Sequence, residues 1–298
     1  MNMNLPQKVI ITEVGPRDGL QNEKILLTTE QKLRFIHALS EAGFSQMEVT
    51  SFVNPKWVPQ MADAEEVCKK IQKEKSLRYI ALVPNLKGLE KAIATQVNAI
   101  AVFTAASESF TKKNINMTIT ESLGAFKGVI QTAKASGIWV RGYLSTCFAC
   151  PYEGNISPSK VLEVSEKLLA LGIDELSLGD TIGVATPNQI WKLLELLQKK
   201  IPLDKIALHF HDTRGTALAN VLAGLQSGIT KFDSSAGGLG GCPYAPGAAG
   251  NLASEDLVYM LHGMGIETGI NLEKLVEASR QISKTLGRTL PGRYLQIH

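Results

Sequence analysis

Residues 157–211 read SPSKVLEVSEKLLALGIDELSLGDTIGVATPNQIWKLLELLQKKIPLDKIALHFH, and they contain two helix patterns that each lead into a short strand. Ser157 and Thr186 each stand before a proline, which places a cap and a proline at the first positions of a helix. The apolar residues after each cap recur at helical spacing: Val161, Val164, Leu168 and Leu171, then Ile190, Leu193, Leu194 and Leu197. Repeated strand–helix units predict a parallel sheet.

The same alternation extends through most of the chain. Several of the predicted strands are continuously apolar, which is typical of strands covered on both faces. The eight predicted strands are residues 9–14, 47–50, 79–83, 99–103, 138–143, 175–178, 205–211 and 230–233. Eight strand–helix units that close on themselves need about 250 residues, so we predict a TIM (β/α)8 barrel. A doubly wound open sheet is the alternative that the pattern leaves open.

No proline-rich or serine-rich linker and no block of charge divides the 298 residues. We therefore predict a single catalytic domain, 1–298, with the barrel at about 8–235. A glycine-rich active-site loop is predicted at 236–251, and closing helices at 252–298. The two closing helices are predicted at Ser254 to Met264 and at Asn271 to Leu286.

Composition excludes several classes of protein. A hydrophobic fraction of 44% is ordinary for a globular domain and too high for disorder. A net charge of +3 gives no argument for nucleic acid or for an anionic membrane. We find no apolar run long enough for a membrane span and no secretory pattern near the N-terminus. Four cysteines do not form a disulfide scaffold, so we expect a cytoplasmic protein.

In a barrel the functional residues lie where the strands end and the following loops begin. His209 and His211 are two apart at the end of the seventh strand, so both rings lie on the same side of it. Asp18, after the first strand, supplies a carboxylate. Two imidazoles with oxygen ligands are compatible with Mg²⁺, Mn²⁺ or Zn²⁺. Two hydrogen-bonded, unliganded histidines are the alternative.

Two cysteine-containing segments need interpretation. Six glycines lie between Gly237 and Gly250, so this loop can approach a ligand closely or cover it, and Cys242 lies within it. A plain connector is the alternative. Cys147 and Cys150 form a C-x-x-C, but no second ligand pair is nearby and Pro151 follows directly. We interpret this pair as incidental.

Together these segments resemble the 3-hydroxy-3-methylglutaryl-coenzyme A lyase family over nearly the whole chain. The most specific match is GLGGCPY, residues 238–244. The other matching stretches are VGPRDGLQNE at 14–23, EVTSFV at 48–53, CPYEG at 150–154, SLGDTIG at 177–183, HFHDT at 209–213 and NLA at 251–253.

The resemblance implies a TIM barrel that uses a divalent cation, Mg²⁺ or Mn²⁺, to cleave hydroxymethylglutaryl-CoA into acetyl-CoA and acetoacetate. It also implies a homodimer and a place in leucine degradation. The implied metal ligands are Asp18, His209, His211 and Asn251. The implied catalytic residues are Arg17, Asp18, Glu48, Asp180, His209 and Cys242. Substrate-binding roles are expected for Arg17, Gln21, Tyr143 and Thr181.

Other functions remain open on sequence. Isopropylmalate or homocitrate synthases share the Arg-Asp and His-x-His arrangement, but they usually read R-D-G-E-Q where this chain has RDGLQ at 17–21. An aldolase that cleaves a hydroxy-oxo acid would lack the Cys242 loop. A barrel that has lost activity and senses acyl-CoA is a further alternative. The intact candidate site argues against it, with Arg17, Asp18, His209, His211 and Cys242 all present.

Overall fold

Eight parallel strands close into a barrel, which confirms the predicted closed fold and excludes the open sheet. The computed structural model describes residues 5–74, 76–240 and 250–297. The barrel strands are β1 (Ile10–Glu13), β2 (Gln46–Ser51), β3 (Arg78–Leu82), β4 (Ala99–Ala105), β5 (Trp139–Ser145), β8 (Glu175–Asp180), β9 (Ile206–Phe210) and β10 (Lys231–Ser234). The barrel closes where β1 pairs with β10, in the register Ile11 to Phe232.

Helices follow the strands along the described part of the chain. They are α1 (Thr29–Glu41), α2 (Ala64–Lys70), α3 (Leu86–Ala94), α4 (Glu108–Ile115), α5 (Ile119–Ala135), α6 (Pro158–Ala170), α7 (Pro187–Leu197), α8 (Ala217–Gln226), α9 (Ser254–Gly263), α10 (Leu272–Leu286) and α11 (Arg293–Ile297). The predicted caps form: Ser157 accepts from the N–H of Lys160, and Thr186 forms a capping box. None of these helices is both long and apolar enough to cross a membrane, within the residues described.

The structure adds two elements that the sequence did not predict. A two-stranded hairpin, β6 (Ala149–Cys150) with β7 (Gly154–Asn155), forms where we expected loop. The C-terminal segment ends in α11 after the two predicted closing helices. The seventh predicted strand was also too long, because residues 203–205 form a 3₁₀ turn and His211 makes only an isolated bridge.

Alternating strand residues divide the barrel into two environments. One large apolar cluster packs between the strands and the surrounding helices. The barrel interior holds a smaller apolar cluster of Ile80, Leu82, Ala99, Ala101 and Tyr143. It also holds buried charged side chains, among them Arg141, Glu175 and Asp233. Burying charge is costly unless each group has a partner, so these residues must form a connected network.

Candidate metal centre and active site

The segment after β1 positions Arg17 and Asp18. Residues Gly15–Gly19 form one turn of π-helix directly beyond the strand. The N–H of Gly15 donates to the carboxylate of Glu13 at 2.7 Å. A Cβ atom on residue 15 would lie 2.6 Å from that same oxygen, so the turn requires glycine there. This close approach sets the direction in which the next residues leave the strand.

The end of β9 and residues 250–253 bring His211 and Asn251 together. The two residues form an isolated antiparallel bridge. The N–H of Asp212 donates to the carbonyl of Gly250 at 2.7 Å, and the N–H of Leu252 donates to the carbonyl of Phe210 at 3.0 Å. Backbone pairing therefore fixes Asn251 beside the strand that carries both histidines.

Asp18, His209 and His211 converge at the carboxyl end of the barrel. Each offers one ligand atom, and these three atoms all lie within 4.8 Å of one another. The side-chain N–H of Asn251 donates to Asp18 Oδ2 at 2.8 Å, so Asn251 borders the same cluster. The structure therefore brings together all four residues for which the resemblance implied metal ligation. Their role as ligands stays a prediction.

Two atoms in this cluster show that a cation fits it. His211 Nδ1 and Asn251 Oδ1 are buried and have no hydrogen-bond partner among the described residues. A buried polar atom without a partner costs about 1–3 kcal/mol, so such atoms call for a ligand. Imidazole nitrogen with carboxylate and amide oxygen is a donor set that Mg²⁺, Mn²⁺ or Zn²⁺ accepts.

The charges of the cluster also suit a cation. Burial alone would raise the pKa of Asp18, but Arg17 and the two histidines lower it to about 2, so the carboxylate is ionised at neutral pH. Burial and the neighbouring His209 lower the pKa of His211 to about 4. His211 is therefore neutral at pH 7 and has a nitrogen lone pair to offer.

Arg17 lies beside the cluster in a buried ion-pair network. Its Nη1 is 2.7 Å from Asp18 Oδ1, and its Nη2 is 2.6 Å from Glu48 Oε2. The Tyr143 hydroxyl donates to the same Glu48 oxygen at 3.1 Å. Burial tends to lower the pKa of Arg17, but Glu48 and Asp18 raise it, so the guanidinium keeps its charge. A fixed cation thus stands next to the candidate metal centre.

The remaining predicted residues lie around this centre in different ways. Gln21 donates to Asp18 Oδ1 at 3.0 Å. Thr181 Oγ1 accepts from the N–H of Thr146 at 2.8 Å. Asp180 accepts from the N–H groups of Val184 and Ala185 at 3.0 and 2.9 Å, so its carboxylate holds the loop after β8.

The cysteines separate into two groups. Cys242 lies outside the described residues. Cys147 and Cys150 are both free and buried. Cys147 donates to the carbonyl of Leu144, while Cys150 accepts from the hydroxyl of Ser107, at 3.0 Å each. Each thiol therefore has its own partner, in keeping with an incidental C-x-x-C.

Sequence reasoning missed the residues that support His209 from below. Its Nδ1 lies 3.2 Å from Asp233 Oδ2, and Arg141 donates to Asp233 Oδ1 at 2.6 Å. Both supporting residues are buried inside the barrel. The available signal was a charged residue within an otherwise apolar predicted strand, which is unusual for a buried position.

The fold and the site define a (β/α)8 barrel with a carboxylate–histidine centre at its carboxyl end. The sequence profile of the HMGL-like family matches residues 8–282. The chain is 53% identical to "Hydroxymethylglutaryl-CoA lyase YngG" of Bacillus subtilis over 295 residues, covering 99% of both chains. The chain belongs to the HMGL-like family.

Solved structures agree with this membership. The Bacillus subtilis HMG-CoA lyase structure superposes with a TM-score of 0.98 at 53% identity, covering 99% of each chain. An HMG-CoA lyase from Acinetobacter baumannii, solved in complex with coenzyme A and 3-methylmalate, superposes with a TM-score of 0.93 at 39% identity. That match covers 97% of this chain and 95% of the other.

Proposed function

We propose that this chain is a hydroxymethylglutaryl-CoA lyase, which cleaves (S)-3-hydroxy-3-methylglutaryl-CoA into acetyl-CoA and acetoacetate. The observation that carries the proposal is the convergence of Asp18, His209 and His211 beside the buried cation of Arg17. The family membership of the whole chain supports the substrate, as does the relative whose structure contains coenzyme A.

The reaction is a retro-Claisen cleavage. A base removes the proton of the C3 hydroxyl, the C3–O bond becomes a carbonyl, and the C2–C3 bond breaks. The electron pair of that bond passes into the thioester and forms the enolate of acetyl-CoA. A proton delivered to C2 then completes acetyl-CoA, while the remaining part of the substrate leaves as acetoacetate.

Arg17 is suited to stabilise the enolate oxygen. The enolate develops negative charge that must be met by a positive group already in position. Arg17 is held by Glu48 and Asp18 through its two terminal nitrogens, and its Nε–H has no acceptor among the described residues. The guanidinium therefore has hydrogen-bonding capacity to spare, and its pKa keeps it charged throughout the reaction.

Asp18, His209, His211 and Asn251 would hold a divalent cation, which we propose to be Mg²⁺ or Mn²⁺. When bound, such a cation orients the substrate and lowers the cost of forming an alkoxide. His209 cannot ligate through Nε2 and also deliver a proton from that atom. Cys242 is therefore our proposed proton donor to C2. A homodimer, a cytoplasmic location and a place in leucine degradation stay predictions.

The test is an acetoacetate assay on the purified chain, coupled to NADH oxidation by 3-hydroxybutyrate dehydrogenase. We expect cleavage of hydroxymethylglutaryl-CoA, its loss after EDTA and its return with Mn²⁺. His211→Gln should lose activity, while His37→Gln, at an exposed position on α1, should keep it. Condensation of acetyl-CoA with a 2-oxo acid, without cleavage, would instead identify a synthase.

A further inference from the structure

Asp233 lies on β10 beneath the candidate metal centre and has three partners. Arg141 Nη2 donates to its Oδ1 at 2.6 Å, while Ser177 Oγ donates to its Oδ2 at 2.9 Å. His209 Nδ1 lies 3.2 Å from the same Oδ2. The pairing of β10 with β9 sets Asp233 directly opposite His209 in the register. Backbone structure therefore fixes the contact between the two side chains.

Arg141 determines how Asp233 can be oriented. This arginine is fully buried on β5, and its Nε lies 3.2 Å from Glu175 Oε1. Its Nη1 donates to the Tyr143 hydroxyl at 3.3 Å. Lys231 provides Glu175 with a second cation at 2.9 Å. A guanidinium has only donors, so the atom of residue 233 that faces Arg141 must be an acceptor.

Because Asp233 can only accept, it decides which nitrogen of the neutral His209 ring carries the proton. A carboxylate is an acceptor at both oxygens, so the neutral ring of His209 must carry its proton on Nδ1 to complete the contact. Its Nε2 then has a lone pair. Histidine ligands in metal sites generally donate their second ring nitrogen to a carboxylate in this way, which fixes the tautomer.

We propose that the Arg141–Asp233 pair is a positioning device that selects the His209 tautomer able to bind a divalent cation through Nε2. The inference rests on the proposed function only in taking a metal as the ligand. Both residues are buried inside the barrel. Both act through His209, and Ser177 donates a further hydrogen bond to Asp233 Oδ2.

Asp233→Asn tests this proposal because Arg141 allows the new side-chain amide only one orientation. The amide oxygen must face the guanidinium, since the opposite orientation would place two donors against each other. The amide N–H₂ then faces His209 and can donate only to an unprotonated Nδ1. The ring is forced into the tautomer with its proton on Nε2, where it blocks ligation. The side chain keeps nearly the same size.

Two measurements separate this effect from a general structural one. Imidazole ¹⁵N shifts of [¹⁵N]His-labelled, metal-free protein, taken across a pH series, report the tautomer of the neutral ring. The His209 signals are identified by their absence from His209→Gln. Titration calorimetry with Mn²⁺ alone reports metal affinity. We expect the proton on Nδ1 of His209 in the wild type and on Nε2 in Asp233→Asn. The dissociation constant for Mn²⁺ should be about 10–100-fold larger in that variant.

Ser177→Ala is the matched control, because it removes one hydrogen bond to Asp233 without reversing any donor. It should keep the Nδ1–H tautomer and bind Mn²⁺ within threefold of the wild type. Equal weakening of Mn²⁺ binding in Asp233→Asn and Ser177→Ala would overturn the proposal. A wild-type ring protonated on Nε2 would also overturn it, and that result needs no variant to fold. Neither measurement uses substrate, so each can fail while the lyase assay succeeds.

Discussion

Replacing Arg17 with methionine should damage stability and catalysis through two separable effects. Arg17 Nη2 lies 2.6 Å from Glu48, whose side chain is completely buried. Removing one partner of a buried ion pair typically costs about 3–5 kcal/mol. Burial raises the pKa of Glu48 and Arg17 lowers it, so without Arg17 this carboxylate can take up a proton. We therefore expect the free energy of unfolding to fall by about 3 kcal/mol, the lower end of that range.

The double variant Arg17→Met/Glu48→Gln removes the unpaired carboxylate and should recover most of that stability. It should not recover catalysis, because the enolate still lacks its cation. Loss of one preorganised electrostatic partner typically lowers turnover by about 10²–10³. The two variants should therefore differ in stability but share a low rate.

Urea denaturation gives the free energy of unfolding for both variants, and the acetoacetate assay gives turnover at saturating Mn²⁺. Arg34→Met, at an exposed position on α1, serves as the control and should match the wild type in both measurements. If the double variant regains turnover to within tenfold of the wild type, Arg17 acts only by holding Glu48 in place. If the urea midpoint of Arg17→Met equals that of the wild type, the buried ion pair does not contribute to stability and the argument fails.

Three further variants test the residues that support the site. Burial raises the pKa of Glu13 from 4.5 to about 8, so between these values the folded protein binds the extra proton and stability falls as pH rises. Glu13→Gln should flatten that slope in urea denaturation at pH 5 to 8, and parallel slopes would contradict it. Gly183→Ala should lower the free energy of unfolding by about 1–3 kcal/mol, because residue 183 has φ +59° and a Cβ would lie 2.9 Å from the carbonyl of His211. Asp180→Ala should cost about 1–3 kcal/mol in the same assay by leaving two N–H groups without their acceptor, and unchanged unfolding would count against either assignment.

The barrel could be predicted because its signals are local. All eight predicted strands exist, and no strand end differs from the prediction by more than two residues. Buried parallel strands need β-branched and apolar residues, and the helices between them need caps, so both features appear in the sequence itself. The hairpin of β6 and β7 was missed because its strands are two residues long and carry no alternation.

The site could be predicted only in part. The motif residues Asp18, His209 and His211 lie at strand ends, where barrel geometry makes them meet. Sequence spacing could not show that Asn251 pairs with His211, because that contact depends on a bridge between separate segments. It also could not show that both carboxylate oxygens of Asp180 accept hydrogen bonds from backbone N–H groups of the loop after β8.

The structure explains why the supporting residues are harder to predict than the proposed metal ligands. A continuous set of polar contacts crosses the barrel interior from the proposed enolate partner to a proposed metal ligand: Arg17, Glu48, Tyr143, Arg141, Asp233 and His209. Each member comes from a different strand or turn except the two on β5. Buried charges stay only where each has a partner, so this network holds both ends of the site in one fixed geometry. Because these contacts join residues on different strands, no single segment of sequence can reveal them. A motif at a strand end lies within one segment and can therefore be recognised from the sequence.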